Sequence, residues 1–243
     1  MLSHTGKKRT FKHNVMLAAL LSLTAGFVNI IGFSTFMVFT TNITGHVAQL
    51  SENIATGNYR TASMFAIWLI FFLLGAFLSS LSVTLIGRTK RTAFTYPLLF
   101  EAFLLAVVMI YTPSSNNLSM VDIEILAGIL LFAMGMQNAM VSIISGSVVR
   151  TTHLTGMFTD LGIELSTLIT HKENRKEVMK YKVNLRLVII FFFIFGCISG
   201  GFLYKDLKLA TFWFPITTLI IVVFYDGLRF NSKLVMRKIR QRQ

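Results

Sequence analysis

The chain has 243 residues, 54% of them hydrophobic and 14% charged, with 23 Lys and Arg against 10 Asp and Glu. Soluble domains carry about 25% charged residues, so an ordinary soluble fold is excluded, and the hydrophobicity with 23 Phe excludes a disordered chain. The net charge of +13 invites a nucleic-acid reading, but membrane topology also concentrates Lys and Arg. A single cysteine, Cys197, leaves no internal disulfide and no multi-thiolate metal site.

Six apolar stretches predict membrane-spanning helices at 15–39, 61–86, 95–112, 121–145, 183–204 and 209–225. In lipid the backbone must satisfy its own hydrogen bonds, which makes each stretch a helix; a barrel would show alternating ten-residue strands. The first stretch is too long for a signal-peptide core and lacks a small-residue cleavage site, so it is expected to remain as a span. Of the 23 basic residues, 20 fall on one side of this six-span chain. They are Lys7, Lys8, Arg9 and Lys12, then Arg88, Lys90 and Arg91, seven from Arg150 to Arg186 and six from Arg229 to Arg242. Only Arg60, Lys205 and Lys208 fall on the other side, so the positive-inside rule expects both termini in the cytoplasm of a multi-pass cell-membrane protein. Asn42-Ile43-Thr44 and Asn117-Leu118-Ser119 match the glycosylation pattern on the outer side, which carries meaning only in a eukaryotic cell.

The first and fourth spans repeat. Gly26-Phe27-Val28-Asn29 returns as Gly135-Met136-Gln137-Asn138 at an offset of 109, and Thr41-Asn42-Ile43-Thr44-Gly45 as Thr152-His153-Leu154-Thr155-Gly156 at an offset of 111. Ile43, Val47, Leu50 and Ile54 then match Leu154, Phe158, Leu161 and Leu165, each set on one face of a helix. Gly75 and Ser79 match Gly196 and Gly200, and Pro97 matches Pro215. Small residues four apart let helices approach closely in lipid. The expected fold is therefore an all-α integral membrane protein of six transmembrane helices, built as two three-helix repeats. Three is odd, so the second repeat is inverted, an architecture common among secondary transporters. The divisions are a basic N-terminus at 1–14, repeat one at 15–112, an outer connection at 113–120, repeat two at 121–228 and a basic tail at 229–243. The segments opened by Thr41–Gly45 and Thr152–Gly156 are too polar to span; each is either an interfacial amphipathic helix or the second half of a broken one. Thr and Gly there suit an N-cap, whose free N–H groups favour anions.

Gly135–Gly162, with Arg150-Thr151-Thr152-His153-Leu154-Thr155-Gly156 and Thr159-Asp160-Leu161-Gly162, resembles the signature of the YoaK-like family of bacterial membrane proteins, a domain of unknown function. Gly26–Gly45 resembles that family's N-terminal motif, except that Asn29 stands where Asp is common, which removes a carboxylate. The resemblance covers residues 14–228 and implies an integral membrane protein of about six helices; it supplies no substrate or reaction.

Polar groups inside spans are costly and mark pathways. Glu101, five residues into the third span, either binds a proton or cation or snorkels to the headgroups. Asn29 and Asn138, at matching positions in mid-span with Gln137 beside Asn138, either bond a neighbouring helix or contact a solute. Arg150 and Asp160 flank the second motif as an ion pair bracing the junction, or as an anion site with a switchable partner. His153 is either a proton carrier, the role imidazole chemistry allows, or a local hydrogen-bond partner; His46 has no matching His and reads as structural. The candidate substrate or ion pathway is thus Asn29, Thr41, Asn42, Thr44, Gly45, Glu101, Asn138, Arg150, Thr152, His153, Thr155, Gly156 and Asp160, with no catalytic or metal site and no cofactor. The leading expectation is a secondary transporter or permease of a small polar or anionic solute, coupled through Glu101, Asp160 or His153. No P-loop, HExxH, CxxC or GxSxG motif is present, so neither ATP coupling nor an enzyme is expected. The alternative is a non-transporting subunit or regulator of a larger complex. Expected partners are membrane lipids, the solute and further copies of the chain as a homo-oligomer, but not nucleic acid.

Overall fold

The structure, a computed structural model, describes residues 11–225 except 89, 91, 113–117, 148 and 171–175, with side chains from Asn14 onward. Most of the expected basic N-terminus, the tail at 229–243, Asn117 and the loop at 171–175 lie outside the described residues. Seven helices follow one another: α1 (Phe11–Phe36), α2 (Ile43–Ala55), α3 (Tyr59–Ile86), α4 (Thr92–Tyr111), α5 (Met120–Ser145), α6 (Leu154–Thr170) and α7 (Lys176–Leu207). A 3-10 turn, Lys208–Phe212, leads into helical residues 213–225, termed α8. No strand occurs among the described residues.

The helix ends follow local chemistry. Met37 takes a left-handed backbone (φ 57) and ends α1 three residues before the expected limit of the first span. The Asn58 side chain caps α3 through the Thr61 N–H. Ser119 and Asp122 cap α5 reciprocally, and Gly146 ends it in the left-handed conformation. α7 begins at Lys176, seven residues before the predicted apolar stretch at 183–204, and its first turns carry the exposed Lys180–Glu177 pair.

Five stretches are long and apolar enough to cross a membrane: Asn14–Phe36, Tyr59–Ile86, Thr92–Tyr111, Met120–Ser145 and Lys176–Tyr225. The sequence predicts six, and the difference lies in the last stretch, which has 50 residues. As one straight helix it would be about 75 Å long against a hydrocarbon layer of about 30 Å. Lys208, with φ 49, breaks it. Phe27 locates the bend: its ring stacks on Phe214 of α8, with centroids 5.8 Å apart, and also lies against Gly200 of α7. Fourteen residues of straight helix would separate those partners by about 21 Å, so the chain doubles back at Lys208.

α1 and α5 form the centre. Their apolar stretches are 67% buried, against 17% for α3 and 28% for Lys176–Tyr225. α1 packs chiefly on α7, and α5 on α3. Both pairs run parallel. Along α1 and α7, Asn14 Nδ2 donates to Tyr181 OH (2.7 Å), Gly26 meets Phe193 and Gly196, and Thr35 Oγ1 donates to Tyr204 OH (2.9 Å). Along α3 and α5, Trp68 Nε1 donates to Glu124 O (2.9 Å), Phe71 meets Gly128, and Gly75 meets Phe132.

The two crossings are built alike. A Cβ on Gly26 would collide with the Phe193 carbonyl and one on Gly196 with the Leu23 carbonyl; a Cβ on Gly135 would collide with Phe72 O and one on Gly75 with Phe132 O. Backbone meets backbone at each point, so no rotamer change could make room. α2 lies on α3 and α6 on α7. Their apolar stripes are divided: Ile43, Leu154 and Leu161 pack against the core, Val47, Ile54, Phe158 and Leu165 are exposed, and the buried side chains are His46 on α2 and Met157 and Glu164 on α6. α4 packs on α5 and α3. Its buried Phe94, Pro97, Leu98, Glu101 and Leu105 recur in Phe212, Pro215, Ile216, Leu219 and Val223, all buried, at an offset of 118.

Candidate functional site

The first motif closes on itself. Asn29 lies seven residues before the end of α1, about 10 Å from it, and not at mid-span as expected. Its Oδ1 accepts from the Thr41 N–H (3.2 Å) and the Thr41 hydroxyl (3.0 Å), tying the segment after α1 back onto the helix. The cap of α2 is Asn42 and not a threonine: its Oδ1 accepts from the Gly45 N–H and the Thr44 hydroxyl, both at 3.1 Å. A Cβ at position 45 would press on that side chain, which explains the glycine. The helix end expected to favour an anion therefore already has its own acceptor.

His46 completes the clip. Its Nε2 lies 2.8 Å from Phe39 O, and a carbonyl can only accept, so Nε2 carries the proton. The ring is buried between Phe65 and Trp68 of α3. Burial pushes its pKa below 6.5, partly offset by the Phe39 bond, so the ring is neutral at neutral pH.

The second motif has the same frame and different bonds. Asn138 again lies seven residues before the end of its helix, but its Oδ1 is buried with no partner among the described residues. Thr152, the counterpart of Thr41, is buried; Arg150, His153 and Thr155 are exposed. His153 stands where Asn42 stands, and Gly156 leaves room for its ring. Gln137 makes the link in this half: its Nε2 donates to Leu21 O on α1 and to Thr151 Oγ1, both at 3.0 Å. Val28 occupies the corresponding place in the first half, and Thr40, the match of Thr151, has a buried hydroxyl with no partner among the described residues. No hydrogen bond joins Asn29 to Asn138 among the described residues.

Asp160 does not pair with Arg150. Its partner is Arg186 of α7 at 3.0 Å, with Glu164 3.7 Å from the same guanidinium and Met157 Sδ accepting from Nη1 at 3.4 Å. Arg186 is largely buried and Arg150 exposed. Sequence proximity favoured Arg150, but α6 lies along α7, and one helical turn on α6 brings both carboxylates to a cation 22 or more residues away. Burial pushes the Glu164 pKa up, with Arg186 opposing. His46 and Arg186 are the residues that sequence reading underrated: an unmatched His and a cation at the edge of a loop carry no local signal.

Glu101 is the tenth of the 20 residues of α4 and 1% exposed. Snorkelling is excluded. Neither carboxyl oxygen has a hydrogen-bond partner among the described residues, and Ser22, Ser79, Gln137 Oε1 and Thr211 share that condition. Among the described residues no three His, Cys, Asp or Glu side chains converge as a metal cage would require.

Residues 17–225 match the family model described as "Protein of unknown function (DUF1275)". The UPF0700 transmembrane protein YoaK of Bacillus subtilis (strain 168) is 29% identical over 223 residues, covering 90% of this chain and 93% of that protein. No solved structure matches. Apolar helices and a transmembrane relative together make this a membrane protein.

Proposed function

The chain belongs to the DUF1275 family, and for this member we propose a secondary transporter of a small polar solute, built as two inverted three-helix repeats that cross the membrane six times with both termini in the cytoplasm. The observation that carries the reading is one amide–threonine latch present twice in different states. Asn29 holds Thr41, whereas at the matching positions the half-buried Asn138, its Oδ1 without a partner among the described residues, and the buried Thr152 are not bonded to each other. Alternating access needs a device of this kind, closed on one side while its counterpart is open.

Further support comes from the packing. The parallel courses of α1 with α7 and of α3 with α5, with the chain turning back at Lys208, fit six alternating crossings in which α2 and α6 do not span. The reciprocal glycine crossings exchange with each other when the halves are exchanged. The exposed apolar side chains of α2 and α6 fit helices lying at the membrane surface.

The unpartnered atoms also bear on the solute. The Gln137 amide is oriented by Leu21 O, so its Oε1 is a true acceptor in need of a donor. The Asn42 side chain occupies the α2 terminus, and two carboxylates engage Arg186. A solute bringing N–H or O–H donors fits better than an anion. No enzymatic step is assigned.

The test uses Cys197→Ser with single cysteines Thr41→Cys or Thr152→Cys and a membrane-impermeant thiol reagent applied from each side. Transport predicts that a solute or proton gradient shifts the two accessibilities in opposite directions. If neither moves for any polar solute tested and the protein purifies with a stable partner, the subunit or regulator reading replaces this one.

A further inference from the structure

We propose that Glu101 is a proton-binding site in the interior of the bundle, holding a neutral carboxyl in the state described and exchanging its proton when α4 parts from the helices around it. The ligand is a single proton, drawn from and returned to whichever aqueous side the open bundle admits. The site stands on geometry; its use in driving a solute rests on the transport reading above.

Position comes first. Glu101 is nine residues from Thr92 and ten from Tyr111, so about 14 Å of helix separates it from either end of α4. A glutamate side chain cannot reach headgroups over that distance, and its 1% exposure shows that it does not. It is turned inward, on the face that carries Leu98, Ala102 and Leu105.

Partners come second. Both oxygens are buried and neither has a hydrogen bond among the described residues. The elements packed on α4 are α3, α5 and the 3-10 turn. Their described titratable groups are Tyr59 and Arg60 in the first turn of α3, Asp122 in the first turn of α5 and Glu124 just after it, and the exposed Lys208. On α4 itself they are the exposed Tyr96 and Tyr111, and α8 adds Tyr225 at its far end. Among the described residues no cation stands at the depth of Glu101. A carboxylate there would have neither a counter-ion nor a donor among the described residues, whereas the protonated form leaves only a neutral group unpaired.

The comparison between halves removes the structural explanation. The matching position in α8 is Leu219, buried in the same way, so the packing of this face calls for an apolar side chain. Glu101 makes no bond that would repay the substitution. A titratable group kept neutral by its surroundings, beside an α5 that carries further unpartnered oxygens, is arranged to change charge when those surroundings open.

The experiment uses the full chain reconstituted in phosphatidylcholine vesicles. Infrared difference spectra between wild type and Glu101→Gln should show the carbonyl band of a protonated carboxyl in the wild type at neutral pH and its loss in the variant. Absence of that band from the wild type overturns the proposal. Dicyclohexylcarbodiimide, which attacks protonated carboxyls in apolar surroundings, should modify Glu101 at pH values where the exposed Glu177 no longer reacts. Loss of reactivity at both residues over the same pH range overturns it. Glu101→Gln mimics the neutral acid and should leave the thermal midpoint at neutral pH unchanged; a fall would mean a carboxylate with a structural partner and sink the idea. Finally, Glu101→Gln should abolish the proton-gradient shift at Thr41→Cys and Thr152→Cys. If the wild type shows the carbonyl band but no shift, transport fails while the proton site stands. If the variant shifts as the wild type does, the site does not couple.

Discussion

Two side chains on the rim of the bundle do work that their neighbours in sequence do not announce. His46 is neutral, donates to Phe39 O and fills the space between Phe65 and Trp68. Its pKa is lower when folded than the 6.5 it has in the unfolded chain, so below 6.5 the unfolded chain binds more protons and stability falls with pH. The clip is fully formed above 6.5 and lost as pH drops through the lowered value. Thermal midpoints between about pH 8 and pH 5 should therefore decline more steeply in wild type than in His46→Asn, and His46→Ala should cost about 1–3 kcal/mol by stranding the carbonyl. Arg186 is the second case. Arg186→Ala removes the cation that Asp160 and the buried Glu164 share and leaves Glu164 only the more distant Lys182; with Asp160 43% exposed, the expected cost is about 1–3 kcal/mol in denaturation measurements. Glu164→Gln should be near neutral or mildly stabilising at neutral pH, because burial already opposes its charge.

The elements are held by helix crossings more than by polar bonds. At Gly75 and Gly196 the facing atoms are main-chain carbonyls, which cannot turn aside. Gly75→Ala and Gly196→Ala should each cost about 1–3 kcal/mol through overpacking. Gly162 is the control: on the exposed face of α6 a Cβ meets nothing within 4 Å, so Gly162→Ala should stabilise the helix by about 1 kcal/mol. A thermal-shift series in detergent orders the three. These glycines were legible in the sequence as matched small residues, because a close crossing demands a small side chain whatever surrounds it. Their partners were not. Nothing local says that Gly26 meets Phe193, or that each crossing joins the two halves of the chain and not helices within one half.

At the scale of the molecule, the direction of each helix decides which face of the membrane every loop meets. Six crossings with an inner N-terminus put the start of α3 outside and the start of α7 inside. In a Cys197→Ser background, an impermeant thiol reagent on intact cells should label Tyr59→Cys and spare Val178→Cys, both sites being exposed. Labelling of both, or of Val178→Cys alone, refutes the topology. The proposed arrangement rests on chain-wide charge sorting, which needs no contact: 20 of 23 basic residues lie on one side of a six-span chain. The sequence separates the last two apolar stretches at 205–208; the structure keeps Lys176–Tyr225 nearly continuous in helix and breaks it within that same interval, at Lys208.

By itself the sequence determined that this is a helical membrane protein, where its apolar stretches lie, and that two motifs recur at offsets of 109 and 111. Those features follow from the solvent, which imposes length and hydropathy residue by residue. Only the tertiary structure decided that Asn29 latches Thr41, that Asp160 answers to Arg186 and not to Arg150, and that Asn138 Oδ1 and the inward-pointing Glu101 carboxyl have no hydrogen-bond partner among the described residues. The physical reason is that a side chain's bonds depend on which helix faces it and at what rotation. Helix rotation is set by packing between segments far apart in the chain, and composition and periodicity do not contain it.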